Sequence, residues 1–153
     1  MSKGKNIQPQ DLDAEKSLLG AMLISSEAIS LIIGKVYAIS FYKPSHGTIY
    51  DAILDLYNAH EPIDLLTVSN KLKKENKLAE VGGRTYLIEL TESVPTASNA
   101  DYYATIVAEK SLLRRLITAG SDIIKNAFDE ANEPKEVTKE AQQAIIELSK
   151  ESF

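Results

Sequence analysis

Apolar residues recur three, four and seven positions apart along most of this chain, which is the spacing of helices that bury one face. In the first part of the chain this pattern defines five short helical segments, at residues 11–23, 26–37, 44–57, 64–76 and 86–94. No stretch alternates between apolar and polar residues as a half-buried strand would, although residues 85–90 have a composition that a strand would also accept. The pattern therefore predicts an all-α fold that begins with a small helical bundle.

Residues with strong positional preferences mark the ends of these segments. Ser26 is a favourable N-cap for the second helix, Pro44 suits the first turn of the third, and Asp64 is a good cap for the fourth. Gly34 weakens the second helix only modestly, because the apolar spacing continues beyond it to Tyr37. The sequence therefore predicts a second helix that runs from residue 26 to residue 37.

The last third of the chain predicts two longer helices. Ser98 is followed three residues later by Asp101, as in a capping box, and nothing interrupts the helical pattern until about residue 128, a length of about 45 Å. Residues 129–134 have turn composition, and the apolar spacing resumes over residues 137–148. A short loop between two long helices predicts an antiparallel hairpin.

These patterns divide the chain into three parts. We expect residues 1–10 to be a disordered leader and residues 11–97 to form the globular helical bundle. Residues 98–153 are expected to form the long antiparallel helical hairpin.

The first hairpin helix carries two apolar stripes side by side. One stripe consists of Ile106, Leu113, Ile117, Gly120, Ile124 and Ala127, and the other of Leu112, Leu116, Ala119 and Ile123. Together they cover an arc of roughly 160°, which is more than one partner helix can bury. The second hairpin helix covers one stripe, so the other is left for the globular part, another copy of the chain or a different protein. We predict self-association through Leu112, Leu116, Ala119 and Ile123.

The composition excludes several kinds of function. Seventeen basic and twenty-two acidic residues give a net charge of −5, which does not suit a stand-alone binder of duplex DNA. The one basic cluster, Lys71, Lys73, Lys74 and Lys77, is typical of a solvated helix end. There is no cysteine and there are only two histidines, so thiolate chemistry is excluded and no metal site is expected. The apolar runs are too short to cross a bilayer, and we expect a cytoplasmic protein with no membrane partner.

No arrangement of residues predicts catalysis. The phosphate-binding loop of nucleotide hydrolases is absent, because neither Gly4-Lys5 nor Gly34-Lys35 has the upstream glycine or the following Ser or Thr. His46 has no second histidine near it in sequence, so a packed or capping role is favoured over that of a ligand or base. We therefore predict no catalytic, cofactor-binding or metal-binding residue, and no enzymatic activity for this chain alone.

The order of several short motifs resembles one protein family. The motifs are Asp13-Ala14-Glu15 with Leu18-Leu19-Gly20, Phe41-Tyr42 with Pro44 and His46, Pro62-Ile63-Asp64, Gly82-Gly83 with Tyr86-Leu87, Pro95-Thr96 with Asn99 and Tyr103, and Arg114-Arg115-Leu116-Ile117. In this order and spacing, from about residue 9 to residue 150, they resemble the N-terminal domain of the DnaB-type bacterial replicative DNA helicase. Gly47 departs from the family, which more often has a basic residue there.

The resemblance implies a role in assembly and recruitment. Its implied full-length protein is an ATP-dependent 5'-3' DNA helicase, with ATP and Mg bound in a motor domain that is missing from this chain. The N-terminal domains of the family pair through their hairpins and form a trimer of dimers, a collar on the hexameric ring. Further implied partners are the C-terminal domain of primase, a helicase loader, and single-stranded DNA only in the context of the ring. The positions that match primase contacts are Tyr86, Ile117 and Ile123.

Two alternatives remain open from the residues themselves. A small helical DNA-binding regulator would use the helix over residues 64–76 with its lysines, and its affinity for duplex DNA would depend on salt. The helicase-binding domain of primase, which has a similar fold, is the other alternative.

Overall fold

The structure, a computed structural model, describes residues 7–151 and the side chains of residues 7–150. It contains seven α-helices: α1 Leu12–Ile24, α2 Ser26–Ile32, α3 Pro44–Asn58, α4 Leu65–Lys74, α5 Gly83–Ser93, α6 Ala100–Phe128 and α7 Pro134–Glu151. Short 3₁₀ helices lie at Ala38–Ser40 and Ala97–Asn99. Within the described part of the chain no strand forms, and the only β-type pairing there is an isolated bridge between Ile33 and Val36. The all-α prediction is confirmed.

The chain forms two compact units. Among the described residues, 10–108 make up the globular unit, and 109–151 together with 7–9 make up the hairpin unit, so α6 contributes residues to both. The sequence placed the boundary between residues 97 and 98, whereas Ala100, Ala104 and Val107 are buried in the globular unit. The predicted disordered leader lies outside the described residues over residues 1–6.

The core of the globular unit is built around α1. Leu18, Leu19 and Met22 of this helix are fully buried, and α1 packs most extensively against α5. The two helix backbones come close at Gly20, where an added Cβ would lie 2.1 Å from the carbonyl oxygen of Leu90. Glycine at position 20 therefore sets how closely α1 and α5 pack.

Several helix starts agree with the sequence signals. The Asp11 carboxylate accepts the backbone N–H of Ala14 at 2.9 Å and caps α1. Asp64 accepts the backbone N–H of Thr67 at 2.9 Å, and the Thr67 hydroxyl accepts the N–H of Asp64 at 2.9 Å, so α4 begins with a reciprocal capping box. Pro44 opens α3 as predicted.

The predicted extent of the second helix is wrong. It ends at Ile32 instead of Tyr37, because Gly34 has φ +96°, a left-handed conformation that glycine adopts without steric cost. The residue before the helix is Ser25, so Ser26 is the first helical residue and not the cap. A turn therefore follows α2, and Ile39, which is 82% exposed, lies just beyond it.

The predicted start of the long helix also needs correction. A 3₁₀ turn over Ala97–Asn99 precedes α6, and Thr96 accepts the backbone N–H of Ser98 at 3.3 Å. Asp101 does not complete a capping box with Ser98; its carboxylate accepts a hydrogen bond from the Lys35 ammonium. The Ser98 and Asp101 pattern still marked the right region, because Ser98 lies in this 3₁₀ turn and Asp101 in the first turn of α6.

A buried tyrosine links the core to alkaline stability. The Tyr50 hydroxyl is buried and donates to the carbonyl of Val36 at 2.6 Å, a bond that a phenolate cannot make. Burial raises the pKa of Tyr50 from 10 to about 12. Because the folded pKa is the higher one, the stability that depends on protonated Tyr50 is complete below pH 10 and is lost as the pH rises towards 12.

We therefore expect the free energy of unfolding to fall between pH 10 and about 12. The same measurement on Tyr50→Phe, by urea titration at each pH, should give a smaller fall because the group that titrates is gone. Equal slopes in the two proteins would contradict this assignment.

Candidate functional site

The two helices of the hairpin unit enclose an open groove. Asn126 of α6 and Val137 of α7 line it near the turn, and Arg115 and Leu148 line it at the other end, so the helices run antiparallel as predicted. Its volume is about 400 Å³, and its apolar lining comes from Ala119, Ile123, Val137, Ala141, Ala144 and Leu148. The Asn132 side chain closes the turn by donating to the carbonyl of Asn126 at 3.0 Å.

A second apolar surface of the hairpin unit faces solvent. We call this surface the outer stripe, and it consists of Leu113, Leu116, Ile117, Ile124 and Phe128 of α6, which are exposed to 44%, 39%, 44%, 60% and 83%. On α7, Ile145 and Ile146 are each 43% exposed. Large apolar residues repeated on one helix face and left in water are typical of an interaction surface.

The residues predicted for self-association do not share one surface. Ala119 and Ile123 are half-buried and line the groove between α6 and α7, so the premise that the second helix leaves them uncovered is wrong. Leu112 is half-buried as well, whereas Leu116 belongs to the outer stripe. The rotation of α6 about its axis, which sequence spacing does not specify, decides this division. The role of these residues in self-association stays a prediction.

The predicted leader is held at its end within the hairpin unit. The carbonyl of Pro9 accepts a hydrogen bond from the Arg114 guanidinium at 2.7 Å. Pro9 is half-buried, and Ile7 is 63% exposed. The described end of this segment is therefore tied to α6.

Tyr86 of α5, predicted to contact primase, is part of a hydrogen-bond network in the globular unit. Its hydroxyl lies 2.6 Å from Nε2 of His46, and Nδ1 of His46 lies 2.7 Å from the Glu15 carboxylate. Glu15 also accepts the backbone N–H of Tyr42 at 2.7 Å and that of Lys43 at 3.4 Å. Of the three side chains joined by these hydrogen bonds, His46 and Glu15 are buried and Tyr86 reaches the surface.

A cation contacts the ring of Tyr86, and Glu89, about one helical turn further along α5, holds a second cation. The Lys43 ammonium lies 4.6 Å from the ring centroid, the distance of a cation–π contact. Lys16 donates to Glu89 at 2.7 Å; this hydrogen bond raises the pKa of Lys16 and lowers the pKa of Glu89. We call Tyr86, Lys43, Lys16 and Glu89 the Tyr86 face. It combines an aromatic ring, a residue type enriched in protein interfaces, with charged groups that can pair with charges of a partner.

Sequence reasoning missed Glu15 as a member of this site. Glu15 lies three and four positions before the buried Leu18 and Leu19, so the helical spacing places an acidic residue on the apolar face of α1. That unusual position was the signal in the sequence that Glu15 has a buried partner. Its partner His46 was correctly interpreted as a packed histidine, but the contact joins residues 31 positions apart and no local pattern indicates it.

The lysine cluster behaves as a solvated helix end. Lys71 lies 3.0 Å from Glu75 and 3.7 Å from Asp55, and the hydrogen bond with Glu75 raises the pKa of Lys71. Lys73 and Lys74 lie in the last turn of α4, where cations interact favourably with the helix dipole. The cluster therefore has a structural explanation.

Neither a metal site nor a membrane span is found in the part of the chain that the structure describes. Among residues 7–151, no group of three or more His, Cys, Asp or Glu side chains is placed to hold a metal ion. Over the same residues, no helix combines the length and the apolar character needed to cross a bilayer.

The fold defines an all-α domain that carries a long helical hairpin. The family model described as the DnaB-like helicase N-terminal domain matches residues 7–109, and the chain belongs to this family. The resemblance found in the motifs is thereby confirmed, and the two alternatives, the DNA-binding regulator and the primase domain, are not supported.

Curated relatives and solved structures agree with this assignment. The replicative DNA helicase DnaB of Mycobacterium leprae is 46% identical over 92% of this chain, and the replicative DNA helicase DnaC of Bacillus subtilis is 40% identical over 94%. The crystal structure of the N-terminal domain of DnaB helicase from Mycobacterium tuberculosis is 45% identical, with a TM-score of 0.87 over 92% of this chain and 99% of that one.

A longer solved structure extends the comparison. It is a DnaB-like replicative helicase, described together with its interactions with primase, and it is 25% identical with a TM-score of 0.75 over 90% of this chain and 31% of that chain. The present chain likewise spans only 24% of the M. leprae protein and 32% of the B. subtilis protein. The comparison therefore concerns one domain of much longer proteins.

Proposed function

We propose that this chain is the N-terminal collar domain of a hexameric replicative DNA helicase, which pairs subunits, supports assembly of the ring and recruits primase. The observation that carries the proposal is the outer stripe, five large apolar residues of α6 that are each at least 39% exposed. A monomeric domain gains nothing from such a face, whereas pairing of hairpins into dimers, and of dimers into a trimer of dimers, buries part of it and leaves the rest for a further protein partner.

In this proposal the chemistry belongs to another part of the full-length protein. ATP and Mg are bound and used by a motor domain, and unwinding proceeds 5'-3' on single-stranded DNA held within the ring. A helicase loader is a further partner of that ring. The residues of this chain contribute contacts between proteins, which is consistent with the absence of a phosphate-binding loop from its sequence.

We further propose that the C-terminal domain of primase docks on Tyr86, Ile117 and Ile123. Tyr86 presents an aromatic ring with Lys43 beside it, and Ile117 is 44% exposed on the outer stripe. Ile123 lines the groove between α6 and α7 and is half-buried. These positions have the aromatic and aliphatic character that anchors of protein interfaces usually have.

Alanine substitutions test this docking site. We expect Tyr86→Ala and Ile117→Ala to weaken binding of the primase C-terminal domain by upwards of about 1 kcal/mol, measured by isothermal titration calorimetry. Ile117→Ala should leave the melting temperature nearly unchanged because its side chain is exposed. Ile123→Ala should weaken binding and also lower the melting temperature, since it removes apolar contact from the groove.

The control is Ile39→Ala, which truncates an isoleucine that is 82% exposed and belongs to neither the outer stripe nor the Tyr86 face. It should alter neither the affinity nor the melting temperature. Unchanged primase affinity in all three test variants, with their helical content intact, would move the docking site elsewhere.

A further inference from the structure

We propose that His46 is a positioning residue for the Tyr86 face, one that fixes the tyrosine ring in the orientation a protein partner recognises. This inference rests on the proposed function, because it assumes that Tyr86 contacts the partner. It goes further by assigning a role to a buried histidine that touches no partner itself.

Glu15 determines the hydrogen-bond directions in the network. The Glu15 carboxylate accepts two backbone N–H groups, from Tyr42 and Lys43, and it accepts a third hydrogen bond from Nδ1 of His46. Since Nδ1 therefore carries hydrogen, the neutral ring has an unprotonated Nε2, which accepts the Tyr86 hydroxyl. The contact between Nε2 and the hydroxyl is 2.6 Å long.

The imidazole ring of His46 is itself held in one orientation. Its side chain is 1% exposed, and both ring nitrogens have partners. The ring of Phe41 meets it edge-on at 6.2 Å between centroids, and the Tyr86 ring lies nearly parallel to it at 5.9 Å and 15°. Glu15 belongs to α1 and His46 to α3, so the network ties Tyr86 of α5 to both of these helices.

Gly82 leaves the space that the base of the Tyr86 side chain occupies. An added Cβ on Gly82 would lie 2.7 Å from Cβ and 3.1 Å from Cγ of Tyr86, so only glycine leaves room there. Gly82 also has φ +108°, which L side chains rarely adopt. Glycine at position 82 thus leaves room for Tyr86, and His46 holds its hydroxyl; a half-exposed ring fixed in this way loses little conformational entropy when a partner binds.

The test compares substitutions that differ only in what they offer the hydroxyl. His46→Leu removes the partner of Tyr86, whereas His46→Gln places a side-chain amide that can accept the same hydrogen bond. We expect His46→Leu to raise the Kd for the primase C-terminal domain about threefold to tenfold, and His46→Gln to recover most of that loss. Both are measured at a temperature at which circular dichroism shows the variant to be folded.

A second variant keeps the test valid if His46→Leu does not fold. Tyr86→Phe deletes only the hydroxyl of a half-buried side chain, and it should raise the Kd by a similar factor; the melting temperature should fall only modestly, because Nε2 of His46 loses its partner but the ring packing is kept. In the double variant His46→Gln/Tyr86→Phe the glutamine should no longer recover any affinity, because the hydroxyl it serves is absent.

A spectroscopic readout separates positioning from general destabilisation. Tyrosine labelled with ¹³C at the ring carbon that bears the hydroxyl gives a resonance that reports its hydrogen bond, and Tyr86→Phe assigns the signal. We expect this resonance to shift in His46→Leu and to return towards its original position in His46→Gln. A resonance that does not move, or equal affinities in the wild type and both His46 variants, overturns the inference.

The failure of the proposed function looks different. If Tyr86→Ala binds primase as tightly as the wild type does, Tyr86 is not a docking residue and the proposed docking site is contradicted. If Tyr86→Ala weakens binding but neither His46 variant does, the docking site stands and only the positioning role of His46 is lost.

Discussion

Replacing Gly20 with alanine should destabilise the globular unit by about 3 kcal/mol or more, which is the upper range for inserting one methyl group into a packed core. The added Cβ would lie 2.1 Å from the Leu90 carbonyl oxygen and 3.0 Å from its carbonyl carbon. Both are backbone atoms of α5, so no side-chain rotation can relieve the clash and the two helices must move apart. Since α1 and α5 share the most extensive contact of this unit, the whole core loses packing. Urea titration followed by circular dichroism measures the loss.

Gly120→Ala is the matched control, because it makes the same chemical change inside a helix. No atom lies within 4 Å of an added Cβ at Gly120, and its backbone is helical. Alanine there should stabilise the protein by up to about 1 kcal/mol, since glycine is the poorer helix former. Equal stability of Gly20→Ala and the wild type would mean that α1 and α5 do not approach each other as closely as described.

The parts of the fold that could be predicted are those fixed by neighbours in sequence. Asp11, Pro44 and Asp64 mark helix starts because a cap or an N1 proline acts on backbone groups only a few residues away. The long uninterrupted apolar pattern after residue 98 likewise predicts the hairpin, because helical period and turn composition are both local properties.

The errors arise where backbone conformation or a distant contact decides the outcome. Gly34 was expected to weaken a helix and instead ends it, since a glycine can continue a helix or turn left-handed and only the tertiary fold selects one. The link between Glu15 and His46 is of the second kind. A single acidic residue on the apolar face of α1 indicates a buried partner, but nothing in the sequence identifies which one.

The candidate surfaces were predictable as a pair of stripes but not in their division. Sequence spacing places Leu116 and Ile123 on the same stripe of α6, whereas in the structure Leu116 is 39% exposed and Ile123 lines the groove against α7. The rotation of α6 about its own axis depends on how its side chains interdigitate with those of α7, and two neighbouring apolar stripes do not specify that rotation.

Leu116→Asp should dissociate the self-associated form of this chain while its helices remain intact. Leu116 is the residue that the sequence assigned to self-association and the structure places on the outer stripe. An interface that buries this stripe would enclose a carboxylate with no cationic partner, at a cost of upwards of about 3 kcal/mol. The Kd of the dimer should therefore rise more than about a hundredfold, because each 1.4 kcal/mol is a factor of ten.

Sedimentation velocity at increasing protein concentration measures this change, and circular dichroism shows whether the helices are retained. Lys125→Gln is the control: it changes the net charge by the same single unit at an exposed position of α6 outside both apolar stripes, so it should sediment as the wild type does. A monomeric wild type at high micromolar concentration would contradict self-association outright. A Leu116→Asp variant that associates as strongly as the wild type would instead show that the outer stripe lies outside the interface, because a buried unpaired carboxylate cannot be accommodated without a large loss of affinity.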